Sequence, residues 1–194
     1  MIGRALVGGV AAAIAMFIIG FIFFATPLYN VATGSLDNRQ AAAVQQAMAS
    51  NIPESGTYLV PGDDTPEQTV MFGRGPVATI HYNSGGVATE DTASMIGGFL
   101  HMLVVGLLMA VRLYTLSLHI PGFGERVRLL VLGVIGAAAF MRLGAPIGYH
   151  QDWGHAIYLF IADSVSLIVA GLVILKLLPR QGVAARAPEE PRAE

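Results

Sequence analysis

The sequence predicts an all-α membrane protein: a four-transmembrane-helix bundle with a small extracytoplasmic α+β insertion after the first helix. The 194-residue chain contains four long apolar stretches. Each meets or nearly meets the roughly 20 residues that a helix needs to cross a hydrocarbon core ~30 Å thick. Charged residues make up only 12% of the chain, against about 25% in an ordinary soluble domain. A polar, acidic segment separates the first apolar stretch from the other three.

The apolar stretches cover residues 5–28, 95–118, 129–147 and 155–175. None alternates apolar with polar residues as a half-exposed strand does. Because backbone groups in lipid must bond within their own segment, each stretch is predicted to be a helix. The first stretch is longer than the ~7–15-residue apolar core of a signal peptide and lacks a small-residue cleavage pattern. We therefore expect it to remain as a membrane anchor.

Basic residues indicate the orientation, since Lys and Arg are enriched at cytoplasmic flanks. Eight of the eleven basic residues fall on one side of the predicted membrane: Arg4, Arg112, Arg126, Arg128, Lys176, Arg180, Arg186 and Arg192. Residues 29–93 hold two basic residues beside seven acidic ones. The pattern predicts that both termini are cytoplasmic and that residues 29–93 are extracytoplasmic.

The chain therefore divides into four predicted parts. Residues 1–28 form the first transmembrane helix, 29–93 the extracytoplasmic segment, 94–178 a three-helix transmembrane region, and 179–194 a disordered cytoplasmic tail rich in Ala, Pro, Arg and Glu.

Within the extracytoplasmic segment, Ser35 is predicted to cap an amphipathic helix over residues 36–49. Its apolar face carries Leu36, Val44 and Met48. Extended pieces at 56–60 and 70–80, with turn-forming residues between them, predict a small β-hairpin or two-stranded ribbon that rests on the bundle.

Small residues recur four apart within the spans: Gly9 and Ala13, Gly106 and Ala110, Gly133 and Ala137, and then Ala162, Ser166 and Ala170. This spacing lets helix backbones approach closely, which favours helix association in lipid. We expect these faces to pack within the bundle. An alternative is that one of them, above all on the first helix, joins another chain in a homo- or hetero-oligomer.

Charge and cysteine content exclude several classes of protein. The formal net charge of −2 argues against nucleic acid as a partner, because nucleic-acid binding needs a basic face. The chain has no cysteine, which excludes disulfides, iron–sulfur clusters and thiolate zinc sites. The predicted environment is the lipid bilayer.

Three ionisable side chains fall inside the predicted spans: His101, Arg142 and Asp163. Such groups are costly in a membrane and are candidates for function. Counted at 1.5 Å per residue, all three lie about 8–12 Å below the outer ends of their helices. Arg142 and Asp163 are predicted to form an ion pair, with His101 or Ser166 completing the hydrogen bonding. The alternative is a proton relay or an outward-facing ligand pocket built from this polar cluster.

A second candidate site lies in the outer loop after the third span, at His150, Asp152 and His155. Imidazole and carboxylate groups are common metal ligands, but the spacing matches no metal motif such as H-E-x-x-H. A solvated loop without metal is therefore predicted. Haem held by His101 and His155 is a further alternative, but no spacing singles these residues out, and no cofactor is predicted.

The chain contains no G-x-S-x-G, Walker or G-x-G-x-x-G motif. The first hypothesis is accordingly a non-enzymatic multi-pass membrane protein, either an accessory subunit or a scaffold of a larger membrane complex. The alternative is a small transporter or proton-linked carrier that uses the intramembrane His/Arg/Asp cluster.

Several short motifs carry a family resemblance. They are Asn51-x-Pro53-x-x-Gly56-x-Tyr58-x-x-Pro61, then Gly75-Pro76, and a final helix with Asp163 and residues 170–173 ahead of Lys176. With these motifs the chain resembles an uncharacterised family of small bacterial inner-membrane proteins with four transmembrane helices. The resemblance implies a bacterial origin and an inner-membrane location. It implies no activity, cofactor or catalytic residue.

Overall fold

The computed structural model describes residues 2–178, so the predicted tail at 179–194 lies outside the described residues. Within them the chain is mostly helical, with one two-stranded sheet. The elements in order are α1 (Ile2–Phe24), a 3₁₀ helix (Pro27–Val31), α2 (Asn38–Asn51), β1 (Gly56–Val60), α3 (Pro66–Arg74), β2 (Ala78–Tyr82), α4 (Thr92–His119), α5 (Phe123–Tyr149) and α6 (Trp153–Leu177). By length and composition, α1, α4, α5 and α6 could each cross a membrane.

The chain forms two compact units. The insert comprises residues 35–91 and contains α2, β1, α3 and β2. The helical unit comprises the residues before and after the insert and contains the four long helices.

The long helices differ from the predicted apolar stretches at their ends. α1 stops at Phe24 because Pro27, which lacks a backbone N–H, starts a 3₁₀ helix instead. Thr26 caps that helix by accepting a hydrogen bond from the amide of Leu28 at 3.3 Å. By contrast, α5 is longer than predicted and begins at Phe123, well before the predicted start at 129. It ends at Tyr149, two residues after the predicted end at 147, with Pro146 in its last turn.

In the insert, the predicted helix exists but its cap is Asp37 and not Ser35. The Asp37 carboxylate accepts from the Gln40 amide at 2.8 Å, and the Gln40 side chain accepts from the Asp37 amide at 3.1 Å. This capping box satisfies two free amides reciprocally. Ser35 would place Asn38 at the third position, where the box calls for Glu or Gln. The predicted apolar face is open in the structure, with Leu36 and Val44 about half exposed and Met48 partly buried.

The predicted ribbon is confirmed as an antiparallel pair, but its second strand is shorter than expected. β1 pairs with β2 from Gly56↔Tyr82 to Val60↔Ala78. Residues 66–74, predicted in part as strand, form α3. Thr65 caps this helix and Pro66 occupies its first turn, where the missing N–H costs nothing. α3 ends at Arg74 and is capped by Gly75, whose φ of 65° suits a residue without Cβ.

The helical unit is organised around α1, which packs against α4 on one side and α6 on the other. α5 packs mainly against α6. α4 and α5 touch each other little, although only residues 120–122 join them. The buried apolar side chains lie mainly along the contacts of α1, α4 and α6: Ala5, Ala12, Ala13, Met16, Ala110, Leu113, Ala170 and Ile174.

Small residues produce the close contacts of α1. A Cβ on Gly106 of α4 would collide with the carbonyl oxygen of Gly9, and a Cβ on Gly9 would lie 3.1 Å from the carbonyl oxygen of Gly106. Ala13, one turn after Gly9, is completely buried. The prediction that these small-residue faces pack within the chain is confirmed for α1 and α4. It is wrong for Ala137 of α5, which is exposed.

A buried arginine holds the connection between α4 and α5. Arg126, in the first turn of α5, is only 2% exposed. Its Nε donates to the carbonyl of Ile120 at 2.6 Å and its Nη2 to the carbonyl of Pro121 at 3.0 Å. Carbonyls at a helix C-terminus lack intrahelical donors and carry partial negative charge. The planar guanidinium therefore satisfies two free acceptors together.

We expect Gly106→Ala to lower the free energy of unfolding by about 1–3 kcal/mol, because the new methyl group overpacks the contact between α4 and α1. Gly97→Ala on the same helix is the matched control, since a Cβ there meets nothing within 4 Å. The control should be neutral or stabilising by up to about 1 kcal/mol, from helix propensity. Thermal unfolding followed by circular dichroism in mild detergent measures both. Equal stability of the two variants would contradict the close approach.

Candidate functional site

The main polar feature of the helical unit is an ion pair between α5 and α6. Nε of Arg142 donates to Oδ2 of Asp163 at 2.7 Å. The predicted pairing of these residues is therefore confirmed. The two side chains are 37% and 29% exposed, so the pair lies at the edge of the packed helices and not at their centre. At this distance the bond is charge-assisted and short.

Arg142 and Asp163 are each positioned by buried residues of their own helix. In α6, Asp163 stands between Ala162 and Ser164, which are both buried. In α5, Pro146 follows Arg142 by one turn and is itself buried. Because proline has no backbone N–H, the carbonyl of Arg142 lacks its usual helical donor. The side chain of Arg142 thus pairs with α6, and the carbonyl of the same residue is left without its usual hydrogen bond within α5.

The other two members of the predicted cluster are not joined to the pair. His101 is exposed on α4, and within residues 2–178 it has no hydrogen bond or ion pair. Ser166 is half-buried and likewise makes no hydrogen bond in this described part. The buried hydroxyl next to the pair belongs instead to Ser164, whose Oγ finds no partner among the described residues.

The outer-loop residues His150, Asp152 and His155 each have a separate structural role. His150 ends α5 in the left-handed conformation, with φ of 53°. Asp152 caps α6, and its Oδ1 accepts from the amide of His155 at 2.7 Å. The ring of His155 turns away and donates from Nδ1 to the carbonyl of Ala32 at 3.0 Å. Within residues 2–178, no three His, Asp or Glu side chains are grouped so that they could hold a metal ion.

An aromatic cluster that the sequence reasoning missed joins α6 to the end of α1. The Tyr158 hydroxyl donates to the carbonyl of Phe23 at 2.6 Å. Its ring lies 5.7 Å from that of Phe23, 6.4 Å from that of Phe24 and 6.0 Å from that of Tyr29. Tyr158 is partly buried, whereas Tyr149 and Trp153 are exposed. The sequence does show aromatic residues at positions 23, 24 and 29, but Tyr158, against which they pack, lies more than a hundred residues later.

These features define what the arrangement can do. Arginine keeps its proton at any physiological pH, so the Arg142–Asp163 pair holds two opposite charges in contact and fixes the relative position of α5 and α6. A relay would require a further titrating group in contact with the pair. Among the described residues His101 does not make that contact. Comparison with protein-family models, with curated proteins and with solved structures found no match to this chain.

We expect Arg142 and Asp163 to be energetically coupled by about 0.5–3 kcal/mol, the range found for residues in contact. Removing either charge alone leaves the other uncompensated in the helical unit, so Asp163→Asn should destabilise the protein more than the double variant with Arg142→Gln does. The measurement is a double-mutant cycle on thermal or denaturant unfolding.

The matched control is the same cycle with Arg128→Gln in place of Arg142→Gln. Arg128 is exposed on the same helix and lies about 21 Å along it from Arg142. The effects of Asp163→Asn and Arg128→Gln should add. Additivity in the Arg142 cycle as well would show that the ion pair does not form.

Proposed function

We propose that this chain is a non-enzymatic multi-pass membrane protein that serves as an accessory or scaffold subunit of a larger membrane complex in a bacterial inner membrane. Four helices long and apolar enough to cross a membrane support the membrane placement. The observation that carries the scaffold role is the outward face of α5. There Phe140 is 87% exposed, Met141 69% and Ile147 70%. Exposed apolar surface of this extent marks a face that lipid or another protein covers.

The same face offers room for a partner helix. A Cβ on Gly136 or on Gly144 would meet nothing within 4 Å, and Ala137 is exposed between them. Small residues at such positions let a second backbone approach. The corresponding face of α1, at Gly9 and Ala13, already packs against α4. We therefore place the partner-binding face on α5 and not on α1, where the sequence had suggested it.

The way in which Arg142 and Arg126 are bound within the fold favours a scaffold over a carrier. Arg142 is neutralised by Asp163, and Arg126 is bound by two backbone carbonyls. A proton-linked carrier needs ionisable groups that exchange partners, and transporter folds usually build them around internal repeats. The sequence shows no such repeat. In the structure His101 also makes no bond to the pair. The carrier hypothesis would require His101 to reach Arg142 and Asp163 after a rearrangement of the helices.

We expect the chain to migrate above its monomer mass when solubilised from native membranes in mild detergent, and Gly136→Ile to shift it toward the monomer. The isoleucine blocks close approach at the proposed face, while the space around Gly136 lets the chain itself fold unchanged. Gly97→Ile on α4, also in open space, is the matched control. Native electrophoresis with mass spectrometry of the separated bands gives the composition. A monomeric wild type, or equal loss in both variants, would contradict the proposal.

The proposed orientation has both termini in the cytoplasm and residues 29–93 outside. Reporters that are active on only one side of the membrane, fused after Gly62 and after the C-terminal residue, should give opposite signals, with Gly62 outside. The physical basis is the excess of Lys and Arg at the ends of the spans away from the acidic segment. A cytoplasmic signal from the Gly62 fusion would reverse the orientation.

A further inference from the structure

A cleft separates the C-terminal half of α4 from the N-terminal half of α5. It exists because these helices leave a common three-residue connection but pack on different neighbours, α4 on α1 and α5 on α6. Its volume is about 850 Å³. Leucines from both helices make up half of the residues that line it, and the polar residues that reach it are Arg112, Thr115 and His119, all from α4.

Arg112 spans this cleft. Its guanidinium lies over the backbone of α5, where a Cβ on Gly133 would be only 3.3 Å from Nη2. Arg112 lies seven positions before His119 at the end of α4, which puts its Cα about 10 Å inside the helix end. A larger residue than Gly133 would push the guanidinium out of this position. Gly133 thus leaves room for the guanidinium, which lines the cleft while Arg112 as a whole stays exposed.

No acidic group of the described chain compensates this charge. Within residues 2–178, Arg112 takes part in no ion pair or hydrogen bond. Glu125, the acidic residue in the first turn of α5, lies against Gly122 at the connection. Arg126 and Arg142 are each satisfied within the fold. Arg112 therefore differs from both: it is exposed, and its guanidinium has neither a carboxylate nor a carbonyl partner among the described residues.

We propose that the cleft binds one anionic phospholipid, with its phosphate on Arg112 and an acyl chain along the leucines. This proposal rests on the membrane placement proposed above. The guanidinium presents paired N–H donors that match phosphate oxygens. His119 lines the same cleft about two turns further along α4, and its second ring nitrogen is available because Nδ1 already donates to the carbonyl of Thr115. The leucine walls of the cleft explain why the ligand is an amphiphile and not a free anion.

The proposal is tested with the full-length protein in a neutral detergent. Dioleoylphosphatidylglycerol, dioleoylphosphatidylcholine and inorganic phosphate are added separately, and retained lipid is counted by native mass spectrometry. We expect phosphatidylglycerol to be retained and phosphatidylcholine and phosphate not to be. Arg112→Gln should weaken phosphatidylglycerol retention about fivefold, from the loss of one cation near the headgroup. Arg128→Gln removes the same charge from an exposed position outside the cleft and should have little effect.

Three results would overturn the proposal. They are equal retention of the two lipids, retention of inorganic phosphate equal to that of phosphatidylglycerol, or an equal loss of phosphatidylglycerol retention in the two arginine variants. If Arg112→Gln does not fold, a photoreactive phosphatidylglycerol on the wild type gives the answer. Cross-links should concentrate on peptides with Leu116, Leu129 and Leu132, and an even spread over the four long helices would refute a specific site. In either case, recovery of the wild type from the membrane fraction tests the membrane placement separately.

Discussion

The structure of the helical unit depends on how closely the backbone of α1 approaches its two neighbours. Glycine at positions 9 and 106 lets the backbones of α1 and α4 meet, and Gly8 brings α1 to within van der Waals distance of Ile174 in α6. In lipid, such packing replaces the hydrophobic effect as the source of association. The consequence reaches α5, which α1 does not contact extensively. α5 is held by α6 and by its connection to α4, so both the cleft and the exposed apolar face belong to this outer helix.

Three of the four arginines on α4 and α5 differ in how their charge is satisfied. Arg126 is almost fully buried and is satisfied by carbonyls at the end of α4. Arg142 is partly exposed and paired with a carboxylate. Arg112 lies in a cleft that supplies neither type of partner. The first two charges are thus satisfied within the fold, whereas Arg112 is exposed and has no such partner among the described residues.

Sequence reasoning found the features that depend on composition and on neighbours along the chain. The four long helices follow from apolar length, and the Arg142–Asp163 pair follows from equal depth on consecutive antiparallel helices. It missed α3, because Thr, Val and Phe resemble a strand while the cap at Thr65 and the first-turn proline decide for a helix. It also placed His101 in the same polar cluster as Arg142. Depth alone does not determine which way a side chain faces, and that depends on the rotation of α4 as it packs on α1.

The contact between α1 and α6 joins the first and last helices that the structure describes. Gly8 meets Ile174 almost at the opposite end of the sequence, so this part of the core has a very high contact order. During synthesis α1 is made before α4, α5 and α6, so the surface that it shares with α6 does not exist until α6 has been made. Until then α1 can pack only on α4, and this part of the core is completed late in folding. A ribosome that stops before α6 leaves a product whose small-residue face on α1 is open to any other helix nearby.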